Sequence, residues 1–196
     1  ARFYMATVFT NQGFYAAALE QYQLGIENDN ELADLHIGLA YNYFGNGQLS
    51  DAIISFEDAI EVDPDNATAY DGLAYMFLQL GDEPLAEQNA LESVRLNPNV
   101  ARARGRLGEA YFRQSNYEKA VEQLEVATSF YGEPTELNAR FFNMLATAYT
   151  LVSFENCDKA VPLFESVIDV TFNEFFIDDA LEGIENCRRA TIGSNP

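Results

Sequence analysis

Apolar residues recur along the chain at helical spacing, in paired stripes separated by short polar breaks. Over residues 33–66, Leu39, Ala40 and Tyr43 share one face of a first helix, and Ala52, Phe56 and Ala59 share one face of a second. Asn46-Gly47 predicts the turn between them, and Asp63-Pro64 predicts the end of the unit. The plan then repeats. Met5, Ala6 and Phe9, followed by Ala18, Tyr22 and Gly25, predict a pair over about residues 1–30, with its opening helix short and Asn28-Asp29-Asn30 as the stop. Residues 67–100 and 101–132 predict a third and a fourth pair. Pro84 falls in the first turn of a helix, where its missing N–H costs nothing. Leu145, Ala146 and Tyr149, followed by Ala160, Phe164 and Val167, predict a fifth pair over 135–170. Ile177, Ala180, Ile184 and Cys187 predict one more amphipathic helix over about 173–190, ahead of a polar, frayed end at Thr191–Pro196.

Several columns keep the same step. Ala18, Ala52, Ala86 and Ala120 lie 34 residues apart, as do Gly13, Gly47, Gly81 and Ser115. Phe9, Tyr43, Phe77 and Tyr111 form a third column, and Ala6, Ala40, Ala74 and Gly108 a fourth; Pro64 and Pro98 keep the step too. Small residues let helices approach closely, and the aromatics fill the space beside them. On these residues the chain resembles the tetratricopeptide repeat, an antiparallel helix pair of about 34 residues. The resemblance covers about residues 1–170 and is looser beyond. It implies an all-α fold: a right-handed superhelix of antiparallel helix pairs, an α-solenoid, whose last apolar face is covered by a C-terminal capping helix. We read residues 1–196 as one domain.

The register slips after the fourth repeat. Leu107 to Leu145 is 38 residues and Ala120 to Ala160 is 40. About four extra residues therefore lie between the fourth and fifth repeats, and two more near Ser153–Asn156, with room for a longer first helix in the fifth. Pro162 requires the second helix of that repeat to begin at about Asp158 or later.

Composition narrows the partners. The chain has 196 residues, 48% of them hydrophobic, which is enough for a large core. Its formal net charge of -20 repels phosphate backbones and anionic membrane surfaces, so nucleic acid is not an expected partner. No segment approaches the ~20 apolar residues of a membrane span. The chain begins at Ala1, inside what reads as a first helix, and is expected to be a processed chain or a piece of a longer one.

Catalytic and metal chemistry find little support. The one histidine, His36, reads as a ring filling a helix junction, and a lone histidine without cysteine or histidine neighbours is no metal site. Asp178-Asp179 and Glu57-Asp58 read as solvated helix faces. No cofactor motif is present. Cys157 opens the last helix of the fifth repeat and Cys187 lies near the end of the capping helix, each on its inward stripe and equidistant from a turn near residue 172. Two readings stay open: a disulfide, which needs Cα atoms ~5.5 Å apart, or two small buried apolar residues. A disulfide would staple the cap and argue for an oxidising, extracytoplasmic compartment.

The first helix of each repeat has a second face, which in the resembled family lines a concave groove. It carries Ile37, Tyr41 and Phe44, then Asp71, Tyr75 and Leu78, then Arg102, Arg106, Glu109 and Phe112 with Arg113 beside them, then Arg140, Asn143 and Thr147. Six of the 11 basic residues lie between Arg95 and Lys119, and Arg102, Arg106 and Arg113 fall within about 40° of each other on one helix. This predicts a groove with an aromatic half and a basic half, suited to a peptide or protein segment with apolar anchors and an acidic or C-terminal carboxylate group. Against it stands pairing of the arginines with the chain's own carboxylates, such as Asp71 or Glu109. A carboxylate clamp that some tetratricopeptide domains use for chaperone tails is matched only by Arg102 and Arg106. Gly72 stands for an Asn, and Ile37 and Tyr41 stand for a Lys and an Asn, so the clamp is absent. The expected function is a non-enzymatic protein-binding scaffold; the alternatives are a regulatory or targeting module of a larger enzyme, and a self-assembling homo-oligomer.

Overall fold

The computed structural model describes residues 2–28 and 32–193. Asp29 and Asn30, part of the expected stop of the first repeat, lie outside them, as do Ser194 to Pro196. Among the described residues there are eleven α-helices, one 3₁₀ turn and no strand. They form pairs: α1 (Arg2–Asn11) with α2 (Tyr15–Asn28), α3 (Ala33–Gly45) with α4 (Leu49–Val62), and α5 (Ala67–Leu80) with α6 (Glu83–Leu96). Then follow α7 (Ala101–Arg113) with α8 (Tyr117–Tyr131), and α9 (Ala139–Val152) with α10 (Cys157–Val170). A single helix, α11 (Glu174–Gly193), packs on α10 and α9. The fold is all-α, a series of antiparallel helix pairs. The contacts gather into two compact units, Ala1–Pro98 and Asn99–Pro196.

The turns inside the pairs share one chemistry. Gly13, Gly47 and Gly81 take positive φ of 78°, 77° and 73°. In each case the next residue donates its N–H five residues back to the aromatic column: Phe14 to Phe9, Gln48 to Tyr43 and Asp82 to Phe77, at 2.9, 2.9 and 3.0 Å. This closes the helix end with a left-handed cap that glycine adopts without strain. The fourth turn makes the same bond, Asn116 to Tyr111 at 2.9 Å, through Ser115 with φ 60°. A serine there carries a steric cost of about 1–2 kcal/mol.

In the N-terminal unit the alanine columns are fully buried, and large second-helix rings sit on glycines of the following first helix. A Cβ on Gly38 would fall 2.5 Å from Tyr22 Cε1, and one on Gly72 would fall 2.2 Å from Phe56 Cε1. Phe56 is fully buried among Ile37, Ala40, Leu73 and Met76, a burial that contributes about 2–3 kcal/mol. Asn42, buried on α3, accepts from Thr10 Oγ1 and donates to the Tyr15 carbonyl, both at 3.1 Å, which ties the second pair to the first.

The C-terminal unit absorbs the extra residues in its connections. Helix α9 has 14 residues, no longer than α5. The additional length lies instead between Tyr131 and Ala139 and in the 3₁₀ turn Phe154–Asn156. Helix α10 begins at Cys157, one residue earlier than Pro162 was expected to allow, so the proline sits inside the helix. The carbonyl it leaves without an intrahelical donor belongs to Asp158, an exposed residue of the first turn that water reaches. Glu136 pins the turn before α11, accepting from Thr171 Oγ1 at 3.2 Å and from the Phe172 N–H at 3.0 Å. Helix α11 runs three residues beyond the expected end at 190.

Candidate functional site

The candidate residues of the N-terminal unit divide by burial. Ile37 and Leu78 are 7% and 1% exposed and serve as core rather than as an open wall. The reason is the surroundings of the first helices. Helix α3 packs on α1, α2, α4 and α5, so more of its circumference is covered than a two-faced reading allows. Tyr41, Phe44 and Tyr75 remain partly exposed. Tyr41 meets Phe56 edge to face with centroids 5.2 Å apart, and Phe44 meets Tyr75 in the same manner at 5.2 Å. Each of these partly exposed rings thus packs against another aromatic ring. His36 is mostly buried, with Nδ1 3.8 Å from Asp58 Oδ2, at the junction of α3 and α4.

In the C-terminal unit, Arg102 is exposed near the start of α7, whereas Arg106 is only 5% exposed. Three other candidates converge. Arg113, Arg140 and Asn143 line a single cavity of about 250 Å³ framed by α7, α9 and α11. Phe112, Met144, Phe175 and Phe176 supply its apolar wall, and Glu109, Thr147 and Asp179 the rest of its polar one. Glu109, 4% exposed, is the hub of that wall. Arg113 Nη2 donates to Glu109 Oε1 at 2.6 Å, and Arg140 Nη2 lies 3.9 Å from Oε2. The Arg140 guanidinium also lies over the Phe141 ring at 4.4 Å. Asn143 Nδ2 donates to Asp179 Oδ2, and Thr147 Oγ1 reaches the same oxygen at 3.5 Å. Asp179, read from the sequence as part of a solvated face, is thus a member of the wall. Phe175, Phe176, Asp179 and Met144 escape the sequence reading. The available signal was that Phe176, Asp179 and Gly183 form a second stripe beside Ala180 and Ile184 on α11.

Cys157 and Cys187 are joined by a disulfide, with Cα atoms 5.6 Å apart. It fastens α10 to α11, the helix that carries three of the cavity's residues. On the other side of α9, Tyr149 Oη donates to Glu125 at 2.5 Å. Burial, and then that hydrogen bond, push the Tyr149 phenol far above its ordinary value. Among the described residues no group of three His, Cys, Asp or Glu side chains is placed to hold a metal, and no helix is long and apolar enough to cross a membrane.

A family model described as TPR repeat matches residues 40–81, and one described as tetratricopeptide repeat matches residues 84–132. Residues 40–132 thus carry tetratricopeptide repeats. Solved structures extend the likeness of fold beyond the matched residues. A structure of MamA is 21% identical, covers 86% of this chain and 91% of its own, and superposes with a TM-score of 0.66. YrrB, described as a TPR protein with an unusual peptide-binding site, is 21% identical, covers 94% and 90%, and gives 0.69. The APC/C hetero-tetramer Cut9-Hcn1 supplies a chain 16% identical that covers 97% of this one with 36% of its own, at 0.78. No curated protein matches. The cavity is built by the first helices of the last two helix pairs and by the single helix that follows them.

Proposed function

We propose that the protein is a non-catalytic binding module that holds a segment of another protein against the first-helix faces of its repeats. The observation that carries this reading is the cavity of the C-terminal unit. It has an apolar wall of four side chains, a polar rim fixed by ion pairs and hydrogen bonds, and a place on the first-helix faces of the last two helix pairs. Preformed cavities of this size with few fixed polar groups suit one anchoring side chain. The partly exposed rings Tyr41, Phe44 and Tyr75 offer contact area on the N-terminal unit. The tetratricopeptide family and the peptide-binding YrrB favour binding over catalysis.

The arginine stripe of α7 favours a second reading, in which the segment brings an acidic side chain or a C-terminal carboxylate to Arg102, the exposed arginine of that stripe. Selection of peptides from a random display library, followed by titration into wild type and Thr147→Trp, tests the first reading. The tryptophan fills the cavity. A selected peptide should lose at least about tenfold in affinity. Selection of no peptide, or equal affinity for both proteins, would contradict it.

A further inference from the structure

We infer that the cavity of the C-terminal unit takes a positively charged group on an apolar stem, the chemistry of a lysine side chain in the bound segment. The inference rests on the segment binding proposed above and fixes the charge of the anchor.

The arginines of the cavity are already engaged. Arg113 is bonded to Glu109 at 2.6 Å, and Arg140 lies between Glu109 and the Phe141 ring. An incoming carboxylate would have to take Arg113 from Glu109, leaving a carboxylate that is 4% exposed without its closest cation. Two acceptors of the wall are left over. Glu109 Oε2 and Asn143 Oδ1 have no hydrogen-bond partner among the described residues, and both side chains are buried. Asn143 cannot remedy this by turning its amide, because Nδ2 is held by Asp179. A ligand N–H that enters supplies a hydrogen bond to acceptors that otherwise stay desolvated without one.

Charge points the same way. Around the cavity Glu109 and Asp179 balance Arg113 and Arg140, so the wall is neutral. Residues 99–196, the unit that holds the cavity, carry nine Lys and Arg against fifteen Asp and Glu, a formal net charge of -6, which favours cations over anions at long range. The apolar wall of Phe112, Met144, Phe175 and Phe176 receives the aliphatic stem, and ring faces stabilise an ammonium placed over them.

The test uses two probes of equal length and opposite charge, hexylammonium and hexanoate, titrated into the full chain while the backbone amides of Asn143, Thr147 and Phe176 are followed by NMR. Hexylammonium should shift these amides saturably and bind at least about tenfold more tightly than hexanoate. Asp179→Asn, which removes one charge at constant shape, should weaken hexylammonium at least about threefold with helix content unchanged. Hexanoate binding as tightly or more tightly would overturn the inference, as would the absence of shifts with hexylammonium. The wild-type comparison needs no variant to fold. If display-selected peptides require the open cavity but hexylammonium does not bind there, the anchor chemistry is wrong and segment binding stands. If hexylammonium binds but no peptide is selected, the chemistry stands and segment binding is wrong.

Discussion

Phe56 of α4 lies so close against Gly72 of α5 that a Cβ on Gly72 would fall 2.2 Å from Phe56 Cε1. The ring is fully buried and cannot swing into solvent. Gly72→Ala should therefore destabilise the protein by about 2 kcal/mol. Phe56→Leu should recover part of that loss in the double variant, because the two residues share one space. Urea unfolding of the two single variants and the double variant measures both effects. Additive losses would show that the pair does not set the fit.

Ser115 occupies the turn position that Gly13, Gly47 and Gly81 occupy in the other repeats, and it holds the same left-handed conformation at φ 60°. Ser115→Gly should raise stability by up to about 1 kcal/mol, the relieved strain less the greater freedom glycine gives the unfolded chain. Thermal unfolding reads this, and a lower midpoint would contradict it.

The Cys157–Cys187 bridge closes a segment of sequence separation 30 and holds α11 to α10. Reduction, or Cys187→Ser, should cost about 3 kcal/mol in denaturant unfolding. The affinity of the cavity for its ligand should fall as well, because α11 supplies Phe175, Phe176 and Asp179. Identical unfolding with and without reductant would refute the bridge as a stabilising element.

Tyr149 sets an alkaline limit. Burial and the Glu125 hydrogen bond hold its phenol above the ordinary value in the folded state, and burial with Asp51 nearby does the same for Tyr43. Their contribution is complete below a pH of about 10, where an unfolded tyrosine keeps its proton, and is lost as pH rises past it. Stability should decline above that pH, and Tyr149→Phe should flatten the decline. Guanidinium midpoints measured across this range check it; an unchanged slope in the variant would remove Tyr149 from the account.

The repeats were legible because their physics is local and periodic. A turn that needs a left-handed residue shows as Gly13, Gly47 and Gly81, and a close helix crossing shows as Ala18, Ala52, Ala86 and Ala120. The cavity was half legible. Arg113, Arg140 and Asn143 fell on the right face, but what they bind depends on contacts outside the period. Glu109 meets Arg140 across the connection where the register slips. Asn143 meets Asp179 on α11, a helix that belongs to no repeat and so has no column to place it. Helical angle alone puts Ile37 and Leu78 on an open face, and neighbouring helices cover that angle. Arg106 is buried for a side chain of its charge, so reversing it tests stability and is no clean probe of binding.

The central claim is that the cavity between α7, α9 and α11 holds the anchor of a bound segment. The most direct measurement is an isotope-filtered NOE experiment on the protein with a display-selected peptide bound. The account predicts intermolecular NOEs from the Met144 and Thr147 methyl groups to one side chain of the peptide. NOEs confined to residues of α8 and α10, with none from Met144 or Thr147, would contradict it.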